Sequence, residues 1–449
     1  MSAKTEGPRR KKSGPASAEV LASVSRSRVS HTWRALRHRN FRLFFGGQTI
    51  SLIGNWMTRI ATAWLVYRLT SSALLLGMVS FMGQIPTFLL APVAGVWVDR
   101  LNRRKVLVWT QALSMVQSLA LAGLTLSHHI TILWILALAA MQGLINAFDM
   151  PGRQSFLVQM VEDRHDLGNA IAINSSMVNL ARLVGPALAG AVIAASSEGW
   201  CFLIDGVSYI AVIASLLAMR IDVAPAKRKE TSTFIEIKEG WTYVSSFLPV
   251  RTILLLFCLV SLMGMPFVVL MPIFAVKVLR GGPDTLGFLM GAVGVGALIS
   301  AISLAARKSV RGLIRMIAIA AAVFGAGLIG FGLSQTLWLS MVMAFVAGMG
   351  MMQGMAASNT IIQTLVPEDK RGRVMSYYTM AFVGMAPFGS LLAGGMASAI
   401  GAPITVVVNG AVVMLGAAWF ASRLPAVREV VRPIYREMGI LLAAEEIQS

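Results

Sequence analysis

The sequence predicts an all-α membrane protein, with twelve transmembrane helices in two pseudo-symmetric six-helix halves and both termini in the cytoplasm. Three observations carry this. First, 56% of the 449 residues are hydrophobic and only 13% are charged, about half the roughly 25% charged share of an ordinary globular chain. Such a chain cannot clothe a water-facing surface, which excludes a soluble enzyme. Second, the apolar residues fall into twelve stretches: 41–67, 74–98, 106–126, 131–149, 168–195, 200–219, 252–276, 285–305, 313–333, 337–361, 375–399 and 403–422. Each is near or above the roughly 20 residues a helix needs to cross about 30 Å of hydrocarbon. Third, the 39 Lys and Arg are sorted by side. Counting the mouths of adjoining spans, 34 lie in the tails or in the connections after spans 2, 4, 6, 8 and 10. Three (Arg68, Lys277 and Arg280) lie in the other connections, and two (Arg59 and Arg182) lie inside spans.

Backbone in lipid must satisfy its own hydrogen bonds, so unbroken stretches of this length are helices, and barrel strands would be about half as long. The charge sorting places both termini inside. It also removes the nucleic-acid reading that a net charge of +19 invites, because the excess marks the face that meets anionic lipid headgroups. Two cysteines, Cys201 and Cys258, provide neither a disulfide scaffold nor a metal cluster.

The pieces follow in order. Residues 1–40 hold ten basic residues and no apolar run, and are read as a disordered basic cytoplasmic tail. The first six-helix half is 41–220. A cytoplasmic linker, 221–250, carries an interfacial helix at FIEIKEGWTYV. The second half is 251–422, and 423–449 is a polar cytoplasmic tail interrupted by Pro425 and Pro433. A shift of 205 residues supports the halving. It carries span 1 onto span 7, FLVQMV at 156–161 onto IIQTLV at 361–366, Gly143 onto Gly348, and GPALAG at 185–190 onto SLLAGG at 390–395. Two halves of the same orientation form a parallel repeat.

Specific motifs follow. GVWVDRLNRRK, Gly95 to Lys105, resembles the loop signature of the major facilitator family, in which a glycine precedes Asp-Arg by four residues and a basic pair follows. The departure is Asn102, where the family has glycine; asparagine tolerates a left-handed turn nearly as well. The resemblance implies a conformational latch of Gly95, Asp99, Arg100, Arg103 and Arg104. In it the Asp99 carboxylate rests on the start of span 11, near Arg373 to Met375, as a helix N-terminus favours. The alternative is an ordinary basic loop, which accounts for the arginines but not for Gly95 and Asp99. Gly185, Pro186 and Gly190 resemble the family's antiporter signature, with Ala181 and Ala189 in place of two further glycines. A proline bend between small residues makes a hinge or a close packing surface. The stretches WMTRIATAWLVYRLT, NAFDMPGRQSFLVQMV, NLARLVGPALAG and VRPIYREMGILL are similar to the drug-and-siderophore exporter branch that includes the enterobactin exporter. One arginine of many drug/proton antiporters is absent: four residues before Gly143 stands Ala139.

Charges inside spans are costly and therefore functional candidates. Arg59, Arg182 and Asp205 lie within the hydrocarbon by sequence position, and Asp149 lies at an inner helix end beside Arg153. One reading has Arg59 paired with Asp205 as a helix tie and Arg182 bonded to carbonyls. The other has an arginine facing a central cavity to attract an anionic group, with Asp205 or Asp149 exchanging protons; for Asp149 the alternative, and the favoured one, is an interfacial salt bridge. Asn55, four residues before Arg59, shares its helix face, and either lines the cavity or makes a helix–helix hydrogen bond. Met351 and Met355 are one turn apart and are candidates to line a cavity, or plain apolar filler. No Walker loop, nucleophile elbow or zinc spacing is present, so the expectation is no enzyme, no cofactor and no metal.

The resulting expectation is a monomeric secondary transporter of the inner membrane. It exports small amphipathic or lipophilic molecules, drug-like compounds or siderophores, by proton antiport and alternating access. The alternatives are import or facilitated diffusion on the same fold, and a non-transporting scaffold or sensor.

Overall fold

The computed structural model describes residues 34–161, 163–220, 233–307 and 309–438, with the side chains of Ala91, Pro92, Val96, Asp99, Arg100, Arg164 and residues 233–237 outside that description. Of the tail expected at 1–40, residues 1–33 lie outside the described residues, as do the first part of the linker and the last eleven residues. Residues 34–40 are ordered rather than a disordered tail, with a helical turn at Arg34–Arg37, α1 starting at Arg39, and Ala35 and Asn40 buried. Regular structure among the described residues is helical. The first six long helices are α1 (Arg39–Thr70), α2 (Ala73–Arg100), α3 (Arg103–Leu126), α4 (Ile132–Gln159), α5 (Leu167–Ala195) and α6 (Glu198–Ala218). A short helix, α7 (Thr233–Ser246), follows. The remainder are α8 (Leu248–Val278), α9 (Pro283–Ala305), α10 (Leu313–Leu333), α11 (Leu337–Leu365), α12 (Glu368–Ile400) and α13 (Ala402–Glu437). Eleven of them, α2–α6 and α8–α13, are long and apolar enough to cross a membrane. Helix α1, which carries Arg39, Arg42, Arg59 and Arg68, falls outside that group.

Short turns separate most of the helices, and α2 and α3 begin on side-chain caps. Ser72 accepts from the Leu75 N–H at 3.3 Å to start α2. Asn102 accepts from the Lys105 N–H at 3.2 Å to start α3, with φ at −70°. The expected left-handed turn at Asn102 is thus corrected: the side chain serves as a cap, a role for which asparagine is better suited than glycine. Positive φ occurs elsewhere among the described residues, at Ser71 (49°), His128 (60°), Arg280 (53°), Gly312 (77°, before α10) and Gly401 (85°, between α12 and α13), and glycine adopts it without strain.

Neighbouring helices run antiparallel. Arg68, near the end of α1, meets Glu198 at the start of α6 at 2.8 Å. At the other end Asn40 exchanges two hydrogen bonds with the backbone of Arg220, at 2.9 and 3.1 Å. One end of the bundle therefore gathers the connections 101–102, 160–166, 306–312 and 366–367, with the basic residues Arg103, Arg104, Lys105, Lys370, Arg371 and Arg373 in the adjoining helix turns. The charge-poor end gathers 71–72, 127–131, 196–197, 279–282, 334–336 and Gly401.

Helices α1–α6 pack on one another and α8–α13 do likewise, through glycines that let backbones touch. A Cβ on Gly143 of α4 would lie 2.6 Å from the Gly83 carbonyl of α2, and one on Gly348 of α11 only 2.2 Å from the Val293 carbonyl of α9. Between the two groups, α5 packs on α9 and α2 on α12. A Cβ on Gly190 would meet the Pro283 carbonyl at 2.9 Å and Gly287 at 3.1 Å; one on Gly77 would meet the Ser390 carbonyl at 2.4 Å and Gly394 at 3.1 Å. The edges of Phe81 and Phe88 against Phe388 extend the second seam towards mid-depth. Segments that the 205-residue shift superposes, around Gly190 and Gly394, thus each face a glycine of the other group.

Two long helices depart from regular α geometry. Helix α8 widens to π turns at Val260–Gly264 and Phe274–Val278, and α12 at Met380–Gly384. Two of these turns end at related sequences, Gly264-Met-Pro-Phe267 and Gly384-Met-Ala-Pro-Phe388. Proline offers no N–H and crowds the preceding turn, and an inserted residue relieves both. Ser261 donates to the Phe382 carbonyl at 2.5 Å, joining the two widened turns.

Two expectations need revision. The polar tail expected from 423 onward is helical as far as Glu437, through both Pro425 and Pro433. Val427, Val431 and Tyr435, spaced at four residues, are buried along one stripe and hold it. The start of span 11 also lies earlier than expected, at Glu368, so Arg373 to Met375 sit inside α12. There Arg373 is engaged by Glu239 of α7 at 2.6 Å, and Trp241 packs near Tyr377.

Candidate functional site

The expected spans of the second half, 252–422, carry a single charged side chain, Arg315. The ionisable residues at depth belong to the first half, and they form three groups.

The first group is built on Trp56 of α1. The guanidinium carbon of Arg59 lies 5.1 Å from the centre of its ring, and that of Arg182 on α5 lies 5.4 Å away. One indole therefore holds two cations, each gaining on the order of 0.5–2 kcal/mol from the ring quadrupole. The geometry depends on Gly185, whose Cβ, were there one, would stand 2.5 Å from the Trp56 Cβ. Arg182 is half-buried and its Nε has no hydrogen-bond partner. Arg59 is exposed, although it lies about 16 Å of helix from the charge-poor end of α1. The backbone beside Arg182 meets α9, where Gly294 approaches Leu183. The pair thus sits at mid-depth, where the two helix groups join.

The second group surrounds Asp205 of α6, which is 1% exposed. Its Oδ2 accepts from Thr58 Oγ1 of α1 at 2.9 Å and from Ser118 Oγ of α3 at 2.8 Å. Its Oδ1 has no partner and lies against Gly54. The Arg59–Asp205 tie is therefore overturned. Thr58 and Arg59 are adjacent on α1, so their side chains point to different faces, one into the bundle and one towards Trp56 and Arg182. The expected carbonyl bonding of Arg182 is likewise replaced by the stack on Trp56.

The third group is at Asp149 of α4, 3% exposed. It accepts from Thr110 at 2.9 Å and Gln111 at 2.7 Å, and pairs with Arg153 one turn on. Polar side chains lead from there towards Asp205. Gln142 donates to Ser114 at 3.3 Å and to Asn146 at 3.1 Å. Asn55 of α1 donates to the Tyr209 hydroxyl of α6 at 3.4 Å. Asn55 thus faces α6 rather than joining Arg59 at the Trp56 stack.

The remaining candidates are dispersed. A Cβ on Gly95 would meet nothing within 4 Å. Arg104 donates to the Leu217 carbonyl at 2.7 Å, closing the C-terminal end of α6, and Arg103 also has a partner. Asp99 and Arg100 have no described side chains, so the latch contact lies outside the described residues. Pro186 and Gly190 belong to the α5–α9 seam. Met351 and Met355 line a narrow apolar cleft with Phe257, Phe324 and Phe382, and Tyr378 donates to the Met355 carbonyl at 2.9 Å. Among the described residues no group of His, Cys, Asp and Glu is arranged to hold a metal ion.

Sequence reasoning missed Trp56, Thr58 and Ser118, each the partner of a charge rather than a charge, and Tyr209, the partner of Asn55. The buried polar row of α3 (Thr110, Gln111, Ser114, Gln117 and Ser118) was a legible signal, since apolar spans rarely carry so many polar residues on one stripe.

Buried charges around a small-residue seam between two helix groups suit a protein that moves solutes, and the comparisons agree. The profile of the transmembrane secretion effector family matches residues 30–441. The staphyloferrin A transporter of Staphylococcus aureus (strain NCTC 8325 / PS 47) is 25% identical over 370 residues, 82% of this chain and 92% of that protein. The multidrug efflux pump Tap of Mycolicibacterium fortuitum is 27% identical over 388 residues, 84% of this chain and 93% of the pump. In fold, the chain resembles a bacterial homologue of the human lysosomal transporter Spinster, solved inward-facing and unoccupied, with a TM-score of 0.66 at 14% identity over 88% of this chain and 98% of that one. Family profile, relatives and fold converge: the chain belongs to the transmembrane secretion effector family of the major facilitator superfamily, and it is a multi-pass membrane transporter.

Proposed function

We propose that this transporter exports small amphipathic molecules, drug-like compounds or siderophores, across a bacterial inner membrane in exchange for protons. In this reading α1 is the twelfth span, α1–α6 and α8–α13 are the two halves, and the basic end with both termini is cytoplasmic, as the charge sorting favours. The chain works as a monomer. The relatives, the staphyloferrin A transporter and the multidrug efflux pump Tap, support the substrate range, and the pump supports the direction.

One observation carries the coupling: α1 holds both parts of it. Thr58 bonds Asp205 inside the bundle, while its neighbour Arg59 joins Arg182 and Trp56 at mid-depth. An uncompensated carboxylate is costly at 1% exposure, and neither hydroxyl that bonds it is a cation. A proton arriving at Asp205 changes its hold on Thr58, and α1 carries that change to Arg59. Rocking of the halves about a midplane site then opens each end in turn.

The test uses inside-out vesicles with an acid-inside pH gradient and a panel of macrolides, tetracyclines, cationic dyes and catecholate and carboxylate siderophores. The expected result is collapse of the gradient by at least one compound, only in vesicles that contain the protein. Asp205→Asn abolishes that collapse while the purified protein remains folded; collapse at the wild-type rate refutes the role of Asp205.

A further inference from the structure

We propose that Arg59, Arg182 and Trp56 form the binding site for a carboxylate of the transported molecule, so that the substrate is a small organic anion and not a lipophilic cation. This rests on the transport reading above and narrows it.

The first support is that neither arginine has a counter-ion among the described residues. Among the described residues of the first half, the buried carboxylates are committed elsewhere: Asp149 to Arg153, Thr110 and Gln111, Glu198 to Arg68, and Asp205 to Thr58 and Ser118. The opposing helices bring none, because α8 through α13 carry no acid between Asp284 and Glu368. Two cations gathered on one ring repel each other, and at mid-depth neither water nor salt screens them fully. An anion placed between them reverses the sign of that interaction.

The second support is donor geometry. Arg182 Nε is buried without an acceptor, so the guanidinium keeps one N–H for which the protein supplies nothing. A guanidinium matches a carboxylate with two parallel hydrogen bonds, which an ammonium cannot do. The third is access. Arg59 is exposed at mid-depth while Arg182 is half-buried beside it, as expected for a site with an open mouth and a fixed floor. The two cation–π contacts hold the guanidiniums in place before a ligand arrives, which lowers the ordering cost of binding. Gly185 completes the site, since any side chain there would displace Trp56.

A purely structural role, with arginines stacked on tryptophan to pack α1 against α5, predicts indifference to ligand charge. The test uses the full chain purified in nanodiscs, with heat of binding and thermal shift as readouts. The probes are citrate, salicylate, their neutral counterparts triethyl citrate and salicylamide, and tetraphenylphosphonium. The expected result is binding of at least one anion, no binding of its neutral counterpart, and no binding of the cation. Arg59→Gln and Arg182→Gln each weaken anion binding about ten- to a hundredfold, and Arg59→Lys by less than Arg59→Gln. Anion binding unchanged by both glutamine variants overturns the site, as does binding of the phosphonium without either anion. Should a variant fail to fold, the wild-type preference between anion, neutral analogue and cation decides by itself; equal affinity for all, or for none, overturns the proposal. Gradient collapse in vesicles by a cationic or neutral compound, with no anion binding, removes the anion assignment and leaves the transport reading standing. Silence in both experiments removes both.

Discussion

Replacing Gly77 by alanine puts the seam at the charge-poor end under a load that can be sized from the structure. The added Cβ would stand 2.4 Å from the Ser390 carbonyl oxygen and 3.1 Å from the Gly394 Cα. Both are backbone atoms of α12, so no rotamer change relieves them. Ordinary contact is near 3.5 Å, so α2 and α12 must separate by about 1 Å along that line. Overpacking of this kind costs about 1–3 kcal/mol, and only in the state in which the seam is closed. Alanine also favours an exposed helix by about 1 kcal/mol over glycine, but it does so whether or not the seam is closed, which makes overall stability a poor readout. The informative quantity is the ratio of seam-open to seam-closed protein, which rises about 5- to 150-fold, since 1.4 kcal/mol is tenfold. Ser390, 3% exposed and bonded to Ser80 at 3.0 Å across the seam, reports it. With Cys201 and Cys258 replaced by alanine, Ser390→Cys is labelled by a membrane-impermeant maleimide, with and without Gly77→Ala. Gly395→Ala, one residue from the seam with nothing within 4 Å of its Cβ position, is the control. Labelling should accelerate at least fivefold in Gly77→Ala and not in Gly395→Ala. Equal rates in the two would refute the idea that backbone contact at Gly77 holds this end closed.

Three other outcomes follow from the same geometry. Thr58→Val or Ser118→Ala removes one of the two hydroxyls that bond Asp205 and costs about 1–3 kcal/mol. Each lowers the thermal unfolding midpoint in detergent, and an unchanged midpoint in both contradicts the assigned bonds. Arg68→Gln leaves Glu198 buried at 2% exposure without its cation. Because the Arg68 side chain is itself 55% exposed and partly screened by water, the loss is about 1–3 kcal/mol rather than that of a deeply buried pair, read in the same melting experiment. Gly185→Ala pushes on Trp56 without touching a charge, and should weaken anion binding several-fold while leaving the unfolding midpoint within a few degrees. Wild-type affinity in that variant shows that the position of Trp56 does not matter.

The two seams account for a feature of the composition that local structure does not require. Glycine is a poor helix former, yet 41 glycines occur in this chain, and those at 77, 190, 287 and 394 lie where α2 meets α12 and α5 meets α9. In lipid the apolar effect does not draw helices together, so close backbone approach supplies the attraction. Contacts of this kind are made or broken over short distances, which suits a joint that opens and closes.

What the sequence determined by itself was the membrane class, the placement of the apolar helices and the family. Those properties are local and additive: a run of about 20 apolar residues, a side-by-side count of lysines and arginines, and short motifs such as Gly95 to Lys105. The reach of helices at their ends was less legible, because α13 continues to Glu437 on the burial of Val427, Val431 and Tyr435, a gain that propensity at Pro425 and Pro433 does not contain. The partners of the charges were not legible at all. Arg59 and Asp205 are opposite in sign and both deep, and pairing them was the economical guess. The rotation of α1 instead turns Thr58 towards Asp205 and Arg59 towards Trp56 and Arg182. Adjacent residues on a helix differ by about 100° in direction, so the face each side chain uses depends on how α1 is seated between α5 and α6. That seating is set by Gly54 against Asp205 and Gly185 against Trp56, contacts between residues more than a hundred positions apart.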